Sequence, residues 1–198
     1  MPTATKNKVK FGLKNVYYAP ITAFSEANTP TYGTPVRYPG AVNLSLDPEG
    51  ERTVFYADDI EYWEDPGNRG YSGDFEAAIT PDEFLQDILG EVVDPNGLQY
   101  DDLDAPTIHF ALLYEIDGDV KKTRHVLYNC TAGHPGVGGQ TKEESTEPVT
   151  DSISLNARGA YFAAVDKNVA HGKLKRGDTG YDSFFTAVVT PAAGTTSA

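Results

Sequence analysis

The sequence predicts a mainly β protein with one helix, and three observations carry that expectation. Tyr (12) and Phe (9) are plentiful, Gly (19) and Pro (13) punctuate the whole length, and apolar residues alternate with polar ones over several short stretches. Aromatic residues suit a pleated, half-buried surface, while Gly and Pro supply turns. A chain of 198 residues suffices for one full-sized domain with its own core. No internal repeat is visible, and residues 41–190 are read as that domain.

Residues 1–40 are expected to form an extended N-terminal arm. Pro20, Pro30, Pro35 and Pro39 interrupt it, and its apolar residues stand mostly alone, as Phe11, Val16 and Phe24 do. Proline pushes the preceding residue towards extended backbone, so the segment is a poor helix, and an arm of this kind orders by lying on a neighbour.

Val42, Leu44 and Leu46 then alternate with polar residues as in a half-buried strand. Asp47-Pro-Glu-Gly50 is expected to turn. Thr53-Val-Phe-Tyr56 and Ile60-Glu-Tyr-Trp63 are β-prone pieces around Asp58-Asp59, and Glu64-Asp-Pro-Gly-Asn68 is another expected turn. From residue 71 to 79 the alternation is clean, with Tyr71, Gly73, Phe75, Ala77 and Ile79 on one side and Ser72, Asp74 and Glu76 on the other.

One helix is expected, over 81–89. Thr80 stands at the N-cap position, Pro81 at the first turn and Glu83 three residues after the cap, the pattern of a capping box. Phe84, Leu85, Ile88 and Leu89 make one apolar stripe for core packing, and Gly90 is placed to end the helix.

Residues 107–132 predict a hairpin turning at Asp117-Gly118. A two-residue turn would set Phe110 opposite His125 and Leu112 opposite Thr123. Ile108, Phe110, Leu112, Tyr114 and Ile116 would form the drier face with Leu127, and Lys122 and Arg124 would lie on the other beside Glu115. Further strands are expected at Ile153–Ala157, Ala160–Val165 and Phe184–Val189, with a basic loop Lys173–Arg176 between the last two. Residues 191–198 are read as a flexible C-terminal tail.

Charge is distributed unevenly. The net charge is −13, and residues 41–104 hold eighteen Asp and Glu against Arg52 and Arg69, a balance of −16, leaving +3 for the rest. Such a chain repels free nucleic acid, which argues against a sequence-specific DNA reader. The first fifteen residues carry four lysines with no apolar stretch behind them, so no ordinary secretory signal is expected. No run of about 18 apolar residues suggests a membrane span. The single cysteine, Cys130, is read as a small buried hydrophobe in a chain that needs no oxidation to fold.

No constellation of residues makes a convincing active site. His109, His125, His134 and His171 lack metal-ligand spacing, and the expected hairpin register puts His109 and His125 on opposite faces. The acidic runs 58–61, 64–65 and 101–104 invite a calcium reading but miss the EF-hand pattern. Paired carboxylates beside Tyr62 and Trp63 would suit a glycosidase or a sugar-stacking site; core or interface anchoring is the commoner use of such aromatics. A nucleophile elbow is absent, and the glycine loop 133–139 is neither a phosphate loop nor a dinucleotide fingerprint. Neither a cofactor nor a catalytic residue is expected.

Several strings resemble one family. Lys8-Val-Lys-Phe-Gly-Leu-Lys-Asn-Val-Tyr-Tyr18 is similar to the opening of major tail proteins from long, non-contractile-tailed phages of Gram-positive bacteria. Further similar strings follow in order: Pro39–Gly50, Phe55-Tyr-Ala-Asp-Asp59, Gly70-Tyr-Ser-Gly-Asp74, Pro81-Asp-Glu-Phe84, Arg124–Cys130 and Thr141-Lys-Glu-Glu-Ser145. Together they span about residues 6–157, and the stretch after about 160 carries no such motif.

The resemblance implies a β-sandwich or barrel with one flanking helix, assembled as six-fold rings stacked into a tail tube. It implies a virion protein made in the host cytoplasm, with no membrane partner. Its partners would be copies of itself and the tape-measure, terminator and distal tail proteins, while DNA passes through without specific binding. Residues 47–73 would be the long inter-subunit loop, with Phe55, Tyr56, Asp58, Asp59, Tyr62 and Trp63 as its contact residues. Part of the acidity, with Asp74 and Glu76, would line the bore. The family brings no catalytic residues. Two rivals stand beside this reading: a virion-associated carbohydrate-binding or hydrolytic β-domain, and a tail terminator or ring protein of related fold.

Overall fold

The computed structural model describes residues 12–65, 67–118, 121–139 and 149–193. Their elements run β1 (Leu13–Phe24), β2 (Pro30–Tyr32), β3 (Val36–Arg37), β4 (Ala41–Glu49), β5 (Thr53–Ala57), β6 (Ile60–Asp65), β7 (Gly70–Ala77) and α1 (Asp82–Leu89). Then follow β8 (Val92–Val93), β9 (Gln99–Tyr100), β10 (Phe110–Ile116), β11 (Arg124–Ala132), β12 (Asp151–Arg158), β13 (Ala160–Phe162), β14 (Lys167–Val169) and β15 (His171–Leu174). The protein is mainly β with antiparallel pairing and one short helix, as expected.

The main sheet runs β2-β1-β10-β11-β12-β7-β4, with β3 added to β1 and β15 to β11. One face carries Val16, Tyr18, Phe110, Leu112, Leu127, Cys130, Ile153, Leu155, Phe75 and Ala77 into a single buried cluster, which α1 closes with Phe84, Ile88 and Leu89. The sheet curls strongly enough for Leu44 and Leu46 of β4 to line one pocket with Leu13 of β1 and Tyr114 of β10. Phe84 is the centre of this packing, meeting Tyr18, Tyr38 and Phe110 edge to face at centroid separations of 5.0, 5.1 and 5.6 Å. Burying one such side chain contributes about 1.5–3 kcal/mol.

The other face of β1, β10 and β11 is buried too. Ala19, Ala111, Leu113, Val126 and Tyr128 pack under the β13–β14 hairpin and the turns around Phe184. This explains the unbroken run Phe110-Ala-Leu-Leu113: a strand covered on both faces has no polar alternation to keep.

Several expectations are corrected. Residues 13–38, expected within a non-self-supporting arm, build the domain itself. The strand β1 is sandwiched between β10 and β2, and Val16, Tyr18, Ala19 and Tyr38 are buried. A bulge between Lys14 and Tyr17, with Asn15 at φ 50, breaks the alternation and hides the strand from a periodic reading. Residues 1–11 of that expected arm and residues 194–198 of the expected tail lie outside the described residues.

Asp47-Pro48-Glu49 does not turn; β4 continues through it, because β4 is an edge strand where proline's missing N–H breaks no ladder. The β10–β11 pairing sets Tyr114 opposite His125 and Glu115 opposite Arg124, four residues away from the expected register. β10 ends at Ile116 and β11 begins at Arg124, so the strands are not joined by a two-residue turn. An even shift keeps every side chain on its face, so the Leu112–Leu127 dry face and the Glu115–Arg124 neighbourhood both survive.

Thr80 does not cap α1. Pro81, at φ −65 and ψ 139, occupies that position, and Thr80 turns inward while its N–H donates to Asp151 Oδ2 at 2.8 Å. Gly90 ends the helix at φ 77, as expected. Ile79 lies beyond β7 and is exposed. Residues 184–187 form turns and a bend and 188–189 irregular backbone rather than a strand, and Lys173 and Leu174 belong to β15 rather than a loop.

Candidate functional site

The strands β4 and β7 form one arm-to-arm ladder from Ala41↔Ala77 to Glu49↔Gly70. Beyond Gly50 and Gly67 a second ladder resumes, from Thr53↔Asp65 to Ala57↔Ile60. Asp58 and Asp59 make its tip at φ 51 and 61, the left-handed pair that a two-residue hairpin turn with native twist requires. Residues 47–73, expected as one long loop, are thus strand at both ends, and only residues 50–69 extend past the main sheet. The two-stranded extension pairs with nothing else in the chain among the described residues.

The two faces of this extension differ. On one, Arg52 Nε donates to Glu64 at 2.6 Å, its Nη2 donates to Glu61 at 3.0 Å, and the Tyr56 hydroxyl donates to Glu61 at 3.2 Å. The guanidinium holds the Glu64 carboxyl below the usual carboxylate range, and the two carboxylates raise Arg52 in return. On the other face Phe55 stands directly opposite Trp63 and Ile60 opposite Ala57, while Tyr62 is the extra residue of a bulge. Phe55, Tyr56, Ile60, Tyr62 and Trp63 are 54–71% exposed. Polar cross-links stiffen a ribbon whose apolar side chains remain in water.

Asp74 and Glu76 lie elsewhere, on the outward face of β7. Asp74 sits between Ser154 of β12 and Ser45 of β4; Glu76 sits between Ser152 and Asn43; Ser72 sits between Asn156 and Asp47. Three adjacent strands therefore present an array of Ser, Asn, Asp and Glu without a large apolar group, bordered in the next row by Arg158, which pairs with Glu49 at 3.8 Å. The sequence marked Asp74 and Glu76, but not the serines and asparagines beside them. The alternation Ser152-Ile-Ser-Leu-Asn156 carried that signal, yet nothing local says that β12 is the neighbour of β7.

Several other polar groups have local uses. Asp94 Oδ1 accepts from the N–H groups of Asn96 and Leu98, both at 2.8 Å, and these bonds lower its pKa. Asp102 accepts from the Asp104 N–H at 3.0 Å. Among the described residues no three His, Cys, Asp or Glu groups converge as a metal site. His125 and His171, far apart in sequence, stack and approach to 3.0 Å between Nδ1 and Nε2, while His109 faces Asn129 at 2.6 Å. Cys130 is fully buried and its thiol is pushed up to about 12 by desolvation, which removes it as a nucleophile.

No protein-family model matches this chain, and no curated protein matches it.

Proposed function

We propose that the chain is the repeating subunit of a phage tail tube, a structural virion protein that associates with copies of itself into rings and stacks them around a DNA conduit. The observation that carries this reading is the β5–β6 ribbon, which gathers five large side chains, four of them aromatic and all more than half exposed, on one short hairpin of an acidic protein. Water-exposed apolar clusters of this kind mark surfaces that are covered in an assembly. The ribbon and the sheet body are unlike surfaces, so a contact between one copy's ribbon and another's body is head to tail. Such contacts close into rings or propagate as filaments.

The Asp74–Glu76 face supplies the complementary property. Duplex DNA carries one negative charge per ~1.7 Å of axis, so a wall of hydroxyls, amides and carboxylates slides past it rather than gripping it. A hydrolytic reading is less well supported, because Arg52 holds the Glu64 carboxyl below the usual carboxylate range, whereas a general acid needs its pKa raised. The deciding experiment is sedimentation of the purified chain over a rising concentration series, with negative-stain microscopy of the same samples. Rings or tubes are expected. A chain that remains monomeric at the highest concentration overturns the proposal.

A further inference from the structure

A cleft of about 500 Å³ lies between the β1–β2 turn and the β13–β14 hairpin, away from the ribbon's exposed aromatics. Its walls include Phe24, Asn28, His109, Asn129, Tyr161 and Asn168, and among the described residues none that line it is Asp, Glu, Lys or Arg. That is unusual in a chain with 23% charged residues. An ionic ligand would find no counter-charge here.

The polar groups are organised. The Asn129 side-chain N–H donates to the Gly159 carbonyl at 3.5 Å, which turns its Oδ1 towards His109 Nδ1 at 2.6 Å. Because Oδ1 only accepts, Nδ1 donates in this contact. Phe24 is 44% exposed, and its ring stands perpendicular to the imidazole at 88° with centroids 5.9 Å apart, forming two walls of a corner. The Tyr161 hydroxyl is anchored on Asp166 at 2.8 Å, which holds the third ring in place. Asn28, at φ 57 in the β1–β2 turn, and Asn168, on β14, bring carboxamides that both donate and accept.

We propose that this cleft binds an uncharged saccharide. Alternating hydroxyls need groups that can donate and accept side by side, which the carboxamides of Asn28 and Asn168 provide. The C–H faces of a sugar ring suit exposed aromatic walls, and the cleft lies within the size range of small-ligand sites. The site is independent of the assembly reading: it uses neither the ribbon nor the Asp74–Glu76 face.

Saturation-transfer difference NMR tests it, because the method observes the ligand and tolerates large assemblies. The probes are maltotriose and N-acetylchitotriose, with glucose 6-phosphate as the charged comparison. Saturable transfer to at least one trisaccharide is expected, with none to the phosphate. Phe24→Ala and Asn168→Ala, both exposed positions, should each weaken binding about fivefold, as for the loss of one contact. Trp63→Ala should bind as the unaltered protein does. Absence of transfer from both trisaccharides, equal transfer from the phosphate, or loss with Trp63→Ala but not with Asn168→Ala would each overturn the proposal.

Discussion

Gly50 and Gly67 meet so closely that a Cβ on Gly50 would stand 1.2 Å from the Gly67 carbonyl oxygen, and a Cβ on Gly67 would stand 2.1 Å from that of Glu51. Both have positive φ, 136° and 65°. This backbone crossing is where the β4–β7 ladder ends and the β5–β6 ribbon begins, so it sets how the ribbon leaves the body.

Gly50→Ala should therefore disturb the ribbon while sparing the core. The positive φ alone costs about 1–3 kcal/mol, the overlap with Gly67 forces the two backbones apart besides, and both effects fall outside the two buried clusters. We expect near-native melting of the main sheet, a shifted Trp63 fluorescence spectrum and impaired self-association. Unchanged fluorescence and association would show that the crossing relaxes without consequence.

Deleting residues 52–69 should leave a folded monomer. The cut joins Gly50-Glu51 directly to Gly70, making a two-residue loop between the paired residues Glu49 and Gly70, with glycine first as such a turn prefers. Circular dichroism should match the full chain, and sedimentation should lose every species above the monomer. Tubes formed by the deleted chain would exclude the ribbon from assembly.

Glu115 is buried and meets Arg124 Nε at 3.2 Å, and Arg124 is held over the Tyr181 and Phe185 rings at 3.9 and 4.6 Å. Glu115→Ala removes one partner and leaves a partly buried guanidinium, a loss of about 3 kcal/mol or more. For a chain of this length that corresponds to a fall of about 6–12 °C in melting temperature, and thermal unfolding reads it directly. A shift below a degree would mean that the Tyr181 carbonyl and the two rings satisfy Arg124 without Glu115.

Asp74→Lys combined with Glu76→Lys should leave folding intact, because both side chains are on the polar outward face. Assembled particles should then retain duplex DNA at low salt and release it as salt rises. Filter binding on assembled material measures this. Equal DNA retention before and after the change would place this face away from the bore.

The Cys130 thiol, fully buried and pushed up to about 12, should ignore a thiol-reactive dye at pH 8 in the native protein and react at once in denaturant. Labelling of the folded chain within minutes would mean that the first core cluster opens readily.

Much of the fold was legible locally. The stripe Phe84, Leu85, Ile88 and Leu89 with Gly90 behind it marked α1, and the apolar side of β7 at Phe75 and Ala77 followed its two-residue period. The aromatic ribbon was visible too, as β-prone pieces around Asp58-Asp59. What local reading lost was β1, whose bulge at Asn15 and prolines imitate an unstructured arm, and the β10–β11 register, where Asp117-Gly118 suggests a shorter turn than the chain makes.

The amino-acid sequence by itself determined the β-rich composition, the single helix, the acidic segment and the choice of face for most strand residues. Those properties depend on neighbours one to four positions away, and backbone geometry converts such spacing into direction. Tertiary structure decided which strands became neighbours. It brought Ser45, Asp74 and Ser154 side by side across three strands, crossed Gly50 over Gly67, and buried β10 on both faces. Long-range pairing is selected by how well whole faces close around a core, and that closure belongs to the entire chain rather than to any segment of it.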